Sequence, residues 1–249
     1  WQIATSNASF MQRVGHTSAV FNGKMYVIGG SNRMFSYNDV WSSYDGVNWI
    51  QEKNASLTGF SPRGNHTTVV FNNNLWIIGG IRIIDSYTRE YYNDIWSSSD
   101  GVNWHQRMVN APFSKRAGHA SAVYDNKIWV IGGTNGYSCF NDVWSSSDGI
   151  NWVQETVSAG FAPRNGLTCF ELDGKLFIMN GIDCDYKIPI NNYNNDIWST
   201  YDGKNWVQEV SNAPYSKRAF NGLVYYDGLL YMIGGYFPDL KEKYFTRKL

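Results

Sequence analysis

Five arginines, Arg13, Arg63, Arg116, Arg164 and Arg218, recur at intervals of about 50 residues, and a set of guanidinium groups in one register could read an acidic ligand. Two rows of aspartates accompany them. Asp39, Asp94, Asp142 and Asp196 stand two residues before a Trp, and Asp45, Asp100, Asp148 and Asp202 stand directly before a Gly. A residue present in every unit serves what every unit requires, so the expectation for these rows is architectural. Asx side chains satisfy backbone groups at strand ends and turns, and the Arg can join the strand-end Asp through charge-assisted hydrogen bonds. His16, His66 and His119 also share a register, with Leu167 and Asn221 in the same place in the other two units. Three His suggest a metal, but a shared register puts each on a separate unit, too far apart for one ion at about 2 Å from all three. Hydrogen-bonded strand His is the expectation, with no metal and no cofactor.

Hydrolysis of a glycan would require carboxylates that converge. Asp85, Glu90, Asp183, Asp185, Asp239 and Glu242 are the carboxylates in the irregular segments, and no motif ties them together, so no catalytic residue is expected. Three cysteines are too few for a disulfide framework. Cys169 falls in a β-rich run and reads as a buried thiol. Cys139 and Cys184 follow the Gly-containing doublets of adjacent units, and a disulfide between them is geometrically conceivable in an oxidising compartment. Asn7, Asn54 and Asn65 open Asn-X-Ser/Thr sequons, possible glycosylation sites that permit secretion; they favour an extracellular or surface address without fixing it.

The elements that must position these residues follow from the composition and the period. Aromatic residues make up 16% of the chain, with 11 Trp and 24 Gly against only 6 Pro, the makings of a large rigid core. Lys plus Arg and Asp plus Glu are equal at 21 each, so there is no positive field for nucleic acid. The longest apolar runs, such as MYVIGG, fall far short of the ~20 residues of a membrane-spanning helix. Each Arg precedes a doublet by sixteen residues: Gly29-Gly30, Gly79-Gly80, Gly132-Gly133, Asn180-Gly181 and Gly234-Gly235. Between them, HTSAVFNGKMYVIGG reads as two strands, a and b, joined at Asn22-Gly23. DVWSSYDGVNWIQ then reads as strands c and d, joined at a tight Asp45-Gly46 hairpin. A period near 50 with four strands per unit is that of a propeller blade.

Pro and Arg before a His, then a Gly doublet, then an aromatic and a Trp on successive strands: this series resembles kelch repeats over essentially the whole chain. The resemblance implies a β-propeller, most often an interaction module, with galactose oxidase as an enzyme on the same scaffold. Trp41 and Trp49 are separated by seven residues where the kelch pattern has six, and the S-x-D-G-x-N-W turn is similar to an Asp box of sialidase-type propellers, shortened by one residue. The copper set of the oxidase is not recognisable among the His and Cys here.

The expected fold is therefore all-β, a single propeller domain over residues 1–249. Its blades are expected at about 13–52, 63–107, 116–155 and 164–209, with a fifth at 218–249 completed by residues 1–5, since Trp1 stands as far before Arg13 as Trp104 does before Arg116. That closure would remove exposed strand edges. The first residue is Trp rather than Met, which reads as a piece of something longer.

The a–b and c–d turns read as minimal, so the b–c and d–a connections carry the variation. The b–c segments 81–92 and 182–194 are the long ones and are rich in Tyr, with Arg and Lys nearby, the composition of interface anchors. Tyr87, Arg89, Tyr91 and Tyr92 in the second unit and Asp185, Tyr186, Lys187 and Tyr193 in the fourth are the candidate binding residues. The expected function is a non-catalytic binding scaffold for another protein. A carbohydrate-binding propeller is the first alternative and a glycan-active hydrolase the second.

Overall fold

Strand residues alternate with left-handed turn residues along the whole chain. The computed structural model describes residues 2–32, 34–53, 59–184, 192–236 and 247–248, which fold as two compact units, residues 1–117 and 118–249. In the first unit, β1 (Thr17–Phe21), β2 (Lys24–Ile28), β3 (Val40–Ser43) and β4 (Ile50–Lys53) form one antiparallel sheet in chain order. A second follows from β5 (Thr67–Phe71), β6 (Asn74–Ile83), β7 (Arg89–Ser98) and β8 (His105–Met108).

The second unit repeats the plan with β9 (Ala120–Tyr124), β10 (Lys127–Thr134), β11 (Cys139–Ser146) and β12 (Val153–Thr156). The short β13 (Arg164–Asn165) introduces β14 (Thr168–Leu172) and β15 (Lys175–Met179). The equally short β16 (Ile182–Asp183) pairs back to β13 as a separate two-stranded sheet, while β17 (Ile197–Thr200) and β18 (Val207–Val210) complete the sheet of β14 and β15. Last come β19 (Gly222–Tyr226), β20 (Leu229–Ile233) and β21 (Arg247–Lys248), a three-stranded sheet among the described residues.

Every a–b turn is a two-residue hairpin with positive φ at both positions. Asn22-Gly23, Asn72-Asn73, Asp125-Asn126, Asp173-Gly174 and Asp227-Gly228 all qualify, the left-handed turn whose twist matches that of the strands. In the two longest b strands the doublet bends the chain: the b–c register slips between Ile78 and Gly80 and between Ile131 and Gly133. A Cβ on Gly80 would lie 2.7 Å from the Cβ of His66, so the second doublet position must be Gly.

The apolar faces of successive sheets meet. Phe21, Tyr26, Ile28 and Val40 of the first sheet bury against Phe60, Leu75, Ile77 and Trp104. Ala120, Trp129, Ile131 and Val143 bury against Phe161, Leu167, Leu176 and Ile178, and Met179 against Tyr215 and Met232. The residue two after each repeated Arg is left-handed, and three of their amides bond the matching residue of the preceding repeat: Asn65 to Gly15, Gly166 to Gly118 and Phe220 to Gly166. Phe220 takes φ 58° and lays its ring on Gly166, where a Cβ would meet it at 2.8 Å.

Three expectations are corrected. The c–d connection is not a two-residue Asp-Gly hairpin. Six residues separate β3 from β4, and the same span recurs in the other three four-stranded sheets; side-chain hydrogen bonds described below hold the longer turn. The segment 81–92 is not a loop: β6 and β7 run on past the doublet, pairing Gly80 with Tyr92 and Ile83 with Arg89, because its alternating residues satisfy a ladder. The N-terminal strand expected to complete the last sheet is absent from the described residues. Trp1 lies outside them, Gln2 to Ala4 form no strand, and Ile3 is 84% exposed.

Candidate interaction site

The repeated Arg and Asp meet as a buried clamp. Arg63 gives Nη1 to Asp94 Oδ1 at 2.6 Å and Nη2 to Oδ2 at 2.8 Å, while Nη1 also bonds the carbonyl of Gly79 at 2.8 Å. The same Asp94 Oδ2 accepts the indole N–H of Trp96 at 2.8 Å. Arg13 clamps Asp39, and Arg164 clamps Asp196, in the same way. The Asn before each Asp ties down the next connection: Asn93 Nδ2 donates to the carbonyls of Ala111 and Phe113, and Asn195 to those of Ala213 and Tyr215.

An aromatic three residues before each Arg, Phe10, Phe60, Phe113, Phe161 and Tyr215, lies under its guanidinium at 5.2 to 5.9 Å. Phe60 and Phe161 also pack edge-on against Trp104 and Trp206. This aromatic row was legible from its constant offset, although it falls in connections that read as loop. With both oxygens of each described clamp Asp engaged, these Arg and Asp are scaffold.

The Asp before each c–d Gly is also fully used. Asp100 Oδ1 accepts the amides of Val102 and Asn103 at 2.8 Å, and Oδ2 accepts Asn103 Nδ2. Ser98 Oγ donates to Asp100 and accepts the Gly101 amide, and the Trp104 indole closes onto the Gly101 carbonyl. Desolvation works against ionisation here, but the bonds from Asn103, Val102 and Ser98 outweigh it and hold Asp100 down to about 2; Asp148 is held likewise, also at about 2.

His66 is buried with Nε2 3.0 Å from Thr17 Oγ1, and among the described residues no group of three His, Cys, Asp or Glu could hold a metal ion. The loop carboxylates have local duties. Asp85 accepts the amides of Tyr87 and Thr88, Glu90 the hydroxyl of Tyr92, and Asp183 the side-chain amides of Asn192 and Asn194. Asp239 and Glu242, like Asp185, lie outside the described residues.

Four exposed apolar side chains, Met34, Phe35, Tyr87 and Tyr137, stand at b–c tips, where an Asx residue fixes the turn. Within residues 1–117, Asn32 Oδ1 accepts the amides of Met34 and Phe35 at 2.8 and 2.7 Å, and Asp85 Oδ1 those of Tyr87 and Thr88 at 2.8 Å. In the second unit Asn135 Oδ1 accepts those of Tyr137 and Ser138 at 2.9 and 2.8 Å. The rings so presented are open to solvent, Tyr87 at 95% and Tyr137 at 86%.

Of the expected binding residues, Tyr87 sits on a tip and Arg89 is exposed beside it in β7. Tyr91 is half-buried. Tyr92 is half-buried with its ring 4.3 Å from the Arg63 guanidinium, its hydroxyl pushed up to about 12 by burial and the Glu90 bond. Tyr193 is buried against Tyr236. Tyr92 and Tyr193 therefore brace the hairpins rather than face solvent. Asp185, Tyr186 and Lys187 lie outside the described residues.

Cys139 and Cys184 are joined as a disulfide, Cα atoms 5.3 Å apart, beside Asn165 Nδ2 at 3.3 and 3.2 Å from the two sulfurs. Among the sequons, Asn7 is exposed, Asn65 is half-buried with its amide bonded to Gly15, and Asn54 lies outside the described residues. Met34, Phe35 and Tyr137 were missed as candidates because their segments are short; the signal was the Asn two or three residues before each.

A family model for the KLHDC2/KLHL20/DRC7 Kelch-repeats domain matches residues 1–148. The chain belongs to the kelch-repeat family. Among solved structures, one titled "Structure of YjhT" resembles the kelch chain with a TM-score of 0.71 at 18% identity, covering 90% of this chain and 77% of that one. That likeness is one of fold, a β-propeller of four-stranded antiparallel blades. No curated protein matches the sequence.

Proposed function

We propose that this kelch propeller is a non-catalytic binding module that engages another protein through the tips of its b–c hairpins. The observation that carries the reading is the exposure of Met34, Phe35, Tyr87 and Tyr137 on turns whose backbone amides are already satisfied by Asn32, Asp85 and Asn135. A large ring held in water by a rigid turn gains from being covered and loses little entropy when it is. Membership of a family of interaction scaffolds agrees with this. So does the local hydrogen bonding of Asp85, Glu90 and Asp183, the loop carboxylates among the described residues.

The test is affinity purification from cells with the parent chain and a Phe35→Ala/Tyr87→Ala variant as baits, followed by affinity measurement on any protein that only the parent retains. The expected result is a partner bound at least about 2 kcal/mol more weakly by the variant, with the thermal midpoint unchanged. Equal affinity for both baits would sink the tip reading, and selective binding on a glycan array without any protein partner would favour the carbohydrate alternative.

A further inference from the structure

Beside the disulfide in the second unit lies an open cleft of about 430 Å³ whose walls are Tyr137, Ser138, Cys139, Ala162, Pro163, Asp183 and Cys184. We propose that this cleft is a socket for a lysine or arginine side chain of the partner protein. The inference rests on the binding-module reading and names the chemistry the partner must present.

Four observations converge on a cation with an aliphatic stem. Asp183 is the one charged residue in the lining among the described residues. Its oxygens receive neutral amides from Asn192 and Asn194 at 2.7 Å, and no cation among the described residues forms an ion pair with it. The nearby Arg164 guanidinium is committed to Asp196 and to the carbonyl of Asn180.

Burial holds the Asp183 carboxyl above its ordinary range despite the Asn194 bond and the pull of Arg164 and Lys217. A carboxylate so desolvated gains from an incoming positive charge more than an exposed one does. Beside Ser138, the lining of Ala162, Pro163 and the disulfide is apolar and suits the methylene stem of Lys or Arg, which buries its chain while its head stays polar.

Tyr137 supplies a ring face at the rim, 86% exposed on its Asn135-held turn, the partner a cation finds in aromatic recognition. The disulfide fixes the separation of the two walls, since Cys139 begins β11 and Cys184 follows β16. A neutral apolar side chain would leave the Asp183 charge with only its two neutral amide donors, and an acidic one would add repulsion.

The test is an NMR titration of the full chain with acetylated, amidated peptides that differ only in a central Lys, Arg, Gln or norleucine. Lys and Arg peptides are expected to shift the amide resonances of Tyr137, Ser138, Cys139 and Asp183, with Gln and norleucine peptides leaving them in place. Asp183→Asn and Tyr137→Ala are each expected to weaken binding about tenfold.

Equal shifts from the norleucine peptide, shifts from no peptide, or full affinity in Tyr137→Ala would overturn the socket. Tyr137 is exposed, so that variant decides even if Asp183→Asn disturbs the bonds to Asn192 and Asn194. A protein partner captured through Phe35 and Tyr87, together with a null titration here, would remove the socket and leave the binding-module reading standing.

Discussion

Asp94 satisfies an arginine fork and an indole with two oxygens, and this triple use explains why the NDxW series is invariant within the chain. Removing the carboxylate strands the buried Arg63, so Asp94→Ala is expected to destabilise the protein by about 3 to 5 kcal/mol in urea unfolding. Arg63→Lys, which keeps the charge and loses the fork, should fall between that variant and the parent. A second consequence is acid sensitivity. Asp100 and Asp148 ionise at about 2 when folded against an ordinary value near 3.9. The folded pKa is depressed, so the stabilisation is complete above pH ~4 and is lost as pH falls from there towards 2. A stability profile by chemical denaturation should decline through that window, and an Asp100→Asn variant should decline less. Both Asp rows were legible in the sequence because they recur in register. The roles of Tyr92 and Tyr193 were not, since composition marks a Tyr as a candidate anchor without saying which side of a strand it occupies; only the ladder placed one over Arg63 and the other against Tyr236.

The hairpins show where dipeptide signals suffice and where they fail. Asn22-Gly23 and its copies specify two-residue turns, and the φ values follow. Asp45-Gly46 gives the same signal yet belongs to a six-residue turn, because Ser43 before it and Asn48 after it add side-chain bonds that a dipeptide rule ignores. The two kinds of Gly differ in what surrounds them, and substitution should reveal it. Gly23 has open space around a Cβ, so Gly23→Ala is expected to cost only the left-handed backbone preference, about 1 to 2 kcal/mol. At Gly101 a Cβ would stand 2.5 Å from Tyr26 Cε1, and at Gly203 it would overlap the Trp129 ring. Gly101→Ala and Gly203→Ala should each lose about 1 to 3 kcal/mol more than Gly23→Ala through overpacking, measured as the shift in urea midpoint at constant slope. The extended β6–β7 hairpin read as a loop for a related reason. Tyr, Arg and Asp in series suggested a connection, whereas their alternation allowed the ladder to continue to Ile83 and Arg89.

At the scale of the molecule, the period carried the propeller class, because the doublets, turns and Trp agree on one blade plan, and the resemblance of the Arg, doublet, aromatic and Trp series pointed to the kelch family. Which tip residues reach solvent was not legible, since exposure is set by packing rather than by spacing. The disulfide spans 45 residues, a loop whose closure is worth about 4 kcal/mol in the chain-entropy account. Cys139→Ser is therefore expected to lower the thermal midpoint in oxidising buffer and to change nothing once a dithiol reductant is present in both samples. The Asx turns at the b–c tips have a wider consequence. Asn32, Asp85 and Asn135 each bond the backbone amides of the residues they present, so the identity of the exposed rings carried there is uncoupled from the frame. Mutation can rewrite the tips one at a time while every clamp stays closed. A gene of this plan can thus drift to a new partner without passing through an unfolded ancestor, and a protein engineer could graft binding residues onto it by the same route.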